Sequence, residues 1–450
     1  MKKLSLVFAA LFFCCGLVAQ EITLEDIWVK GTFRSKSIAG IRSMNNGVNY
    51  CILTSEGIEK YSYSDGKKVE TIVSFSALKF NTDKEYVFEY EFNGDETKVL
   101  LATNPQFIYR RSYLANYYVY DLSSKQITPI DNEKVRLADF SPNGSMVAYV
   151  KDNNLFVLSL ADMSVRQITT DGKFNEKIYG TTDWVYEEEF AITKGFFWSP
   201  DSEKIAFYSF DESNVKEFTI PYYGTLYPVQ YSYKYPKAGE DNSVIGIHVF
   251  DLKTATTHDI DLGPNKDIYV PRLQWTPNNE VFVHKLNRHQ NHYELFLVNC
   301  NDYRLSKIYD ERNECYIEQA ENVTFLADKQ HFIIKSEKDG YMNLYKVNIY
   351  TKEIEPITSG KYDVDQICYI DPKTEQIYFT AAQSEAYNRE LLVVDKKKKV
   401  KKLSGKVGTY TADFSANGKY YISSFSDTDT PTIYTINDNT GKVLLTLEDN

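Results

Sequence analysis

Cysteine is scarce in this chain, with six in 450 residues, two of them inside an N-terminal apolar run. The other four, Cys51, Cys300, Cys315 and Cys368, are too few to staple a chain of this length, which excludes a disulfide-framework fold. Cys300 and Cys315 either pair in an oxidising compartment or remain buried free thiols. Histidine is equally sparse at six residues, and only His289 and His292 lie close together. Neither residue type has zinc-ligand spacing, so no metal and no other cofactor is expected. Positive charge is in deficit, 51 Lys and Arg against 62 Asp and Glu, and a formal charge of -11 repels a phosphate backbone. No nucleic-acid partner is expected. The basic run from Lys396 to Lys402 follows Leu391-Leu392-Val393-Val394-Asp395 and reads as a lysine-blunted hairpin turn, not a polyanion site.

Long apolar runs are absent too, save one at the start. Met1-Lys2-Lys3, the apolar stretch from Leu4 to Val18 and the small residue Ala19 read as a secretory signal peptide over residues 1–19. The run is shorter than the ~20 residues a spanning helix needs. Export to the periplasm or cell envelope follows. Cys14 and Cys15 raise lipid anchoring as a rival, and bulky Phe13 argues against it. The whole sequence is 43% hydrophobic with 36 Tyr and 26 Phe, enough for a sizeable core.

Residues 20–47 read as an N-terminal segment, with a short helix near Ile22 to Trp28 capped by Thr23. From about Val48 the pattern changes to short apolar runs of period two broken by Asn, Asp, Gly and Lys. One unit recurs: Phe140-Ser141-Pro142-Asn143-Gly144, Trp198-Ser199-Pro200-Asp201-Ser202 and Trp275-Thr276-Pro277-Asn278-Asn279, each followed by an apolar strand. Weaker copies begin at Phe325, Ile370 and Phe414. A spacing of about 40 to 50 residues is the mark of a β-propeller. The expected fold is all-β, an eight-bladed β-propeller of four-stranded antiparallel blades over 48–450. An array of β-sandwiches fits worse, because nothing separates the units as linkers would.

Two stretches break the repeat, and inserted material tends to carry contacts. The first, Ile178 to Lys194, contains Asp183-Trp184-Val185-Tyr186-Glu187-Glu188-Glu189. Alone, three adjacent acids read most simply as a solvated turn. On a short helix capped by Asp183 they point ~100° apart, so two long Glu side chains can converge while the third cannot. A cationic ligand would offset their mutual repulsion. The second, Asp211 to Ser243, is rich in tyrosine, with Tyr222-Tyr223 and Tyr231-Ser232-Tyr233-Lys234-Tyr235. It is either a partner or oligomer surface, or a loop folded over the propeller's own rim.

The acidic stretch resembles the double-glutamate motif of the dipeptidyl peptidase IV family, serine peptidases of the prolyl oligopeptidase clan. Tyr109-Arg110-Arg111-Ser112-Tyr113 with Val119-Tyr120-Asp121-Leu122 is similar to that family's arginine segment, and Leu286-Asn287-Arg288-His289-Gln290-Asn291 and Tyr421 to Ser426 also resemble it. The resemblance implies an eight-bladed propeller that caps an α/β-hydrolase domain. It implies that Glu188 and Glu189 grip the free α-amino group of a peptide substrate and that Arg110 contacts the nearby carbonyl. Tyr113 and Trp184 would support them, and Glu187 is expected to be the solvated acid. It further implies removal of X-Pro or X-Ala dipeptides, with a homodimer as a possible assembly. An α/β-hydrolase needs a Gly-x-Ser-x-Gly elbow, and none occurs in these 450 residues. The chain is therefore expected to be the N-terminal, substrate-gripping part of a secreted exopeptidase, inactive by itself, with residues 20–47 leaning on a hydrolase domain outside it. The alternatives are a non-catalytic propeller that captures peptides or a protein partner, and a purely structural one.

Overall fold

The computed structural model describes residues 21–38, 40–80, 86–318 and 321–450. The stretch read as a signal peptide lies outside them. Eight antiparallel sheets follow one another along the chain, at residues 42–74, 87–129, 136–167, 177–259, 268–312, 324–356, 364–402 and 409–448. A ninth, two-stranded sheet is an arm (Glu217–Tyr222 and Val229–Lys234) projecting from the fourth blade. The eight-bladed propeller is thus observed, and its first strand, Arg42–Ser43, starts ahead of the expected Val48. A short helix α1 (Leu24–Trp28) precedes it, with Thr23 and Asp26 bonding reciprocally at its start as a capping box.

Period-two patterning explains why the blades stack. In the strand Tyr113–Asp121 four successive residues, Tyr117 to Tyr120, are buried. Tyr118 and Tyr120 pack with Met44, Cys51 and Val73 of the first blade, while Tyr117 and Val119 pack with Val135, Val147 and Tyr149 of the third. Each blade hides both faces against its neighbours, so the core lies in the seams between blades.

The recurring sequence unit is a tight turn that ends with a residue in the left-handed region. Gly144 (φ 68), Ser202 (φ 64), Asn279 (φ 60) and Gly418 (φ 66) hold that position. Their amides return to the carbonyls of Ser141, Ser199, Thr276 and Ser415. Neighbouring turns are tied along one rim: the Asn143 amide donates to Ser202 Oγ at 3.1 Å and that of Asp201 to Asn279 Oδ1 at 3.1 Å. A second device repeats deeper in two blades. Asn154 Oδ1 accepts from Thr169 Oγ1 at 3.1 Å and from the Gly172 amide at 2.9 Å, and Thr358 Oγ1 donates to Asn343 Oδ1 at 2.8 Å in the same manner.

Among the described residues no strand is shared between blades. The ring closes by side chains: Tyr50 and Tyr63 pack against Ile422 and Ile436, Ser43 Oγ accepts from the Ala416 amide at 2.9 Å, and the Lys36 amide donates to Asn450 Oδ1 at 2.6 Å. The four cysteines among the described residues are free thiols, so Cys300 and Cys315 do not pair. The lysine run forms the expected hairpin between Glu390–Val394 and Val400–Lys402, with Lys396 on Glu375 and Lys398 on Glu355.

Candidate functional site

The fourth blade's innermost strand is broken in two. Lys177–Tyr179 and Phe196–Trp198 both pair with Lys204–Asp211, and the chain between them leaves the sheet to form helix α2 (Trp184–Glu189). Gly180 and Gly195 pinch the neck of this excursion, with the Gly195 amide on the Gly180 carbonyl at 3.0 Å. A Cβ on Gly195 would sit 2.7 Å from the Thr181 carbonyl oxygen, a distance only glycine tolerates. The arginine segment lies in the hairpin between Lys98–Phe107 and Tyr113–Asp121 of the second blade. The arginine hairpin lies at the strand ends opposite the repeated turns, whereas the α2 excursion leaves its strand midway, beside Tyr208.

As the sequence predicts, Asp183 caps α2. Its Oδ1 accepts from the Tyr186 amide at 2.9 Å and its Oδ2 from Ser243 Oγ at 2.6 Å, while burial pushes its carboxyl above the ordinary range. Tyr186 and Phe190 turn inward, their rings 4.9 Å from Phe210 and 5.4 Å from Tyr269. The Val270 amide donates to the Tyr186 hydroxyl at 2.7 Å, which fixes the helix to the fifth blade.

Glu187 shares this inward face, and the expectation that it is solvated is wrong: it is 1% exposed. Residues 183, 186, 187 and 190 fall on one helical stripe, and that stripe faces the protein. Glu187 Oε1 accepts from the amides of Arg111 at 2.7 Å and Ser112 at 2.8 Å, and its carbonyl accepts from Arg111 Nη1 at 2.9 Å. Behind it lies the buried guanidinium of Arg136, whose pKa is lowered by burial and held up against that by Glu187.

Glu188 and Glu189 project the other way. Arg110 Nε stands 3.4 Å from Glu188 Oε2, with the arginine side chain 71% exposed and that of Glu188 15%. Glu189 is exposed at the end of the helix. The structure thus brings Arg110 to Glu188 and leaves Glu189 open on the same turn. Two carboxylates and one guanidinium leave the cluster one negative charge in excess, a deficit that a single ammonium group would fill.

The tyrosine-rich stretch folds over the propeller's own rim at its root and stands exposed at its tip. At its root Tyr235 packs on Trp184 at 4.3 Å and Tyr233 on Tyr109 at 5.7 Å, so it folds over the site. At its tip Leu226 and Tyr227 are 92% and 81% exposed. Trp184 is therefore a support for the arm. Tyr113 donates to Glu89 Oε2 at 2.6 Å beside a cavity of about 330 Å³, also lined by Glu91, Asp139, Arg111 and Lys194. His289 joins no ligand cluster among the described residues. His292, Glu294 and Asp310 converge, with Lys307 Nζ 3.2 Å from Glu294 and 2.7 Å from Asp310, so an ammonium group already lies between the two acids.

A family model described as the dipeptidyl peptidase IV (DPP IV) N-terminal region matches residues 93–432. The crystal structure of Porphyromonas gingivalis dipeptidyl peptidase 4 is similar at 36% identity and a TM-score of 0.90, over 96% of this chain and 62% of that one. A putative dipeptidyl aminopeptidase IV from Bacteroides ovatus, 21% identical with a TM-score of 0.75 over 95% of this chain, shares the fold. Among curated relatives, the probable dipeptidyl peptidase 4 of Aspergillus fumigatus is 29% identical over 94% of this chain and 58% of its own length. The chain therefore spans about three fifths of the relatives it matches, 58% of the first and 62% of the crystal structure's chain.

Proposed function

Because this chain belongs to the family of dipeptidyl peptidase IV N-terminal regions, we propose that its rim site anchors the free N-terminus of a peptide for a secreted serine exopeptidase that removes X-Pro or X-Ala dipeptides. The observation that carries this reading is the Arg110–Glu188 contact of 3.4 Å with Glu189 open beside it. The peptide ammonium sits between Glu188 and Glu189, and Arg110 turns its exposed N–H groups to the first carbonyl. Charge-assisted hydrogen bonds of this kind are about twice as strong as neutral ones. Fixing the amine at a set depth lets only two residues reach past it, so the glutamates measure the dipeptide.

Cleavage belongs to an α/β-hydrolase domain as partner, because these residues supply grip and orientation but no nucleophile elbow. The site and both ends of the described propeller support that placement. The inner strand of the first blade starts, and the last strand Val443–Glu448 finishes, at the rim that carries α2. In this reading the apolar face of α1, with Leu24 75% and Trp28 72% exposed, leans on the hydrolase domain. Residues 1–19 act in this reading as a signal peptide that exports the protein to the periplasm or cell envelope. Calorimetric titration with Gly-Pro-Gly and its N-acetyl form tests the clamp: the free amine should bind and the acetylated peptide should not, and equal affinity would end the proposal.

The exposed arm tip supports a second reading, a propeller that captures a protein partner without catalysis. Binding that survives Glu188→Gln with Glu189→Gln, and is lost on deleting the arm tip, would favour it.

A further inference from the structure

The residues that carry the clamp come from two blades that are not neighbours in the ring and meet only through their insertions. Arg110 belongs to the second and Glu188 to the fourth, and a hairpin turn by itself has no reason to hold an arginine in register with a helix a whole blade away. What joins them is a set of three hydrogen bonds, all on one buried residue: Arg111 N and Ser112 N to Glu187 Oε1 at 2.7 and 2.8 Å, and Arg111 Nη1 to the Glu187 carbonyl at 2.9 Å. Ser112 and Glu187 are each 1% exposed, so the bond between them lies out of water and losing it leaves a desolvated donor unpaired, while the two Arg111 bonds are partly shielded.

We infer that Glu187 and Arg111 are the positioning residues of the clamp, a clip that locks the Arg110 hairpin to α2. This rests on the reading of Arg110, Glu188 and Glu189 as a peptide anchor. Glu187 touches no ligand in this arrangement. It faces inward while Glu188 and Glu189 face outward, so the helix divides its acids between one that fixes the distance and two that face the ligand. The peptide finds the carbonyl donor and the amine acceptors already assembled, and little ordering is left to oppose binding.

The clip is tested first without any peptide. Amide hydrogen exchange at Arg111 and Ser112 should be slow in the unsubstituted chain and in Glu187→Gln, which keeps an acceptor oxygen, and should become fast in Glu187→Ala. Rapid exchange of both amides in the unsubstituted chain would overturn the inference. The coupling is read next, by titration with Gly-Pro-Gly. Arg110→Ala should weaken binding about tenfold in the unsubstituted chain. In the Glu187→Ala background it should have no further effect, because the arginine is no longer held in place, whereas Glu188→Gln should still weaken binding there. An undiminished effect of Arg110→Ala in that background would show that Glu187 does not position it. Should Glu187→Ala fail to fold, Arg111→Ala replaces it, removing one of the three bonds, and must reduce the Arg110 effect for the inference to stand. Equal affinity of the unsubstituted chain for free and acetylated peptide defeats the clamp, and with it the purpose of the clip; a clear preference for the free amine with no Arg110–Glu187 coupling defeats the clip alone.

Discussion

Arg110 and Glu188 meet at 3.4 Å across the width of an intervening blade, and the arginine half of that pair is 71% exposed. A guanidinium so placed can turn from the carboxylate to an incoming carbonyl without leaving a buried charge behind. Arg110→Ala should therefore weaken a peptide but leave a simple alkylamine bound as well or better, since the excess negative charge grows. Titration with Gly-Pro-Gly and with propylamine reads this difference, and a parallel loss for both ligands would argue against the division of labour.

In the proposed clamp, Glu188→Gln and Glu189→Gln would each remove one charge-assisted bond to the amine. Each should cost about 1.5–3 kcal/mol, or roughly 10- to 100-fold in affinity for the free-amine peptide. Thermal stability should be unchanged, because neither acid is fully buried. Calorimetry and a melting curve on the same samples separate the two effects.

His284 is fully buried against Tyr293, its Nδ1 3.0 Å from the tyrosine hydroxyl, and burial pushes its pKa from 6.5 down to about 3. The folded state then binds fewer protons than the unfolded one between those values. Stability is full above pH 6.5 and falls on acidification by about 1.4 kcal/mol per pH unit until the folded pKa is reached. His284→Gln should flatten the acid limb of a denaturant-midpoint profile, and an unchanged slope would count against it.

Glu212, 6% exposed at the root of the arm, shows the opposite sign. Burial and then the Asp183 carboxylate push its pKa from 4.5 up to about 8. Here the folded state holds the extra proton, so stability is full below 4.5 and declines as pH rises towards 8. Glu212→Gln should melt higher than the unsubstituted chain at pH 9 and equal it at pH 4.

A homodimer, if formed through the arm, would bury its tip, where Leu226 and Tyr227 are almost wholly exposed. Leu226→Asp with Tyr227→Asp should shift a dimer to a monomer in light scattering without altering peptide affinity.

Much of this was legible because it is local. The turns at Ser141, Ser199 and Thr276 announce themselves in four residues, and period two in Tyr117 to Tyr120 gives a strand buried on both faces. Asp183 as a cap follows from its chemistry. Glu187 was misread although the signal was present: its spacing from Asp183, Tyr186 and Phe190 puts it on the inward stripe, yet a charged residue invites the opposite guess. Arg111 gave no local signal, since its partners are 76 residues away in sequence. The early start at Arg42 escaped because its strand of two residues is too short to show a period. That Arg110, Glu188 and Glu189 belong to one site comes from the family resemblance, not from any pattern in the chain, and the Arg110–Glu188 contact is seen only in the fold.

A ring fastened by Tyr50, Tyr63, Ile422 and Ile436, with no strand crossing the joint, behaves mechanically as a split washer. Tension applied between Lys36 and Asn450 would load that joint before any sheet, because the hydrogen bonds within a blade run along whole strands while those across the joint are isolated. The joint should then part before any blade unfolds, as an early step in a force-extension trace.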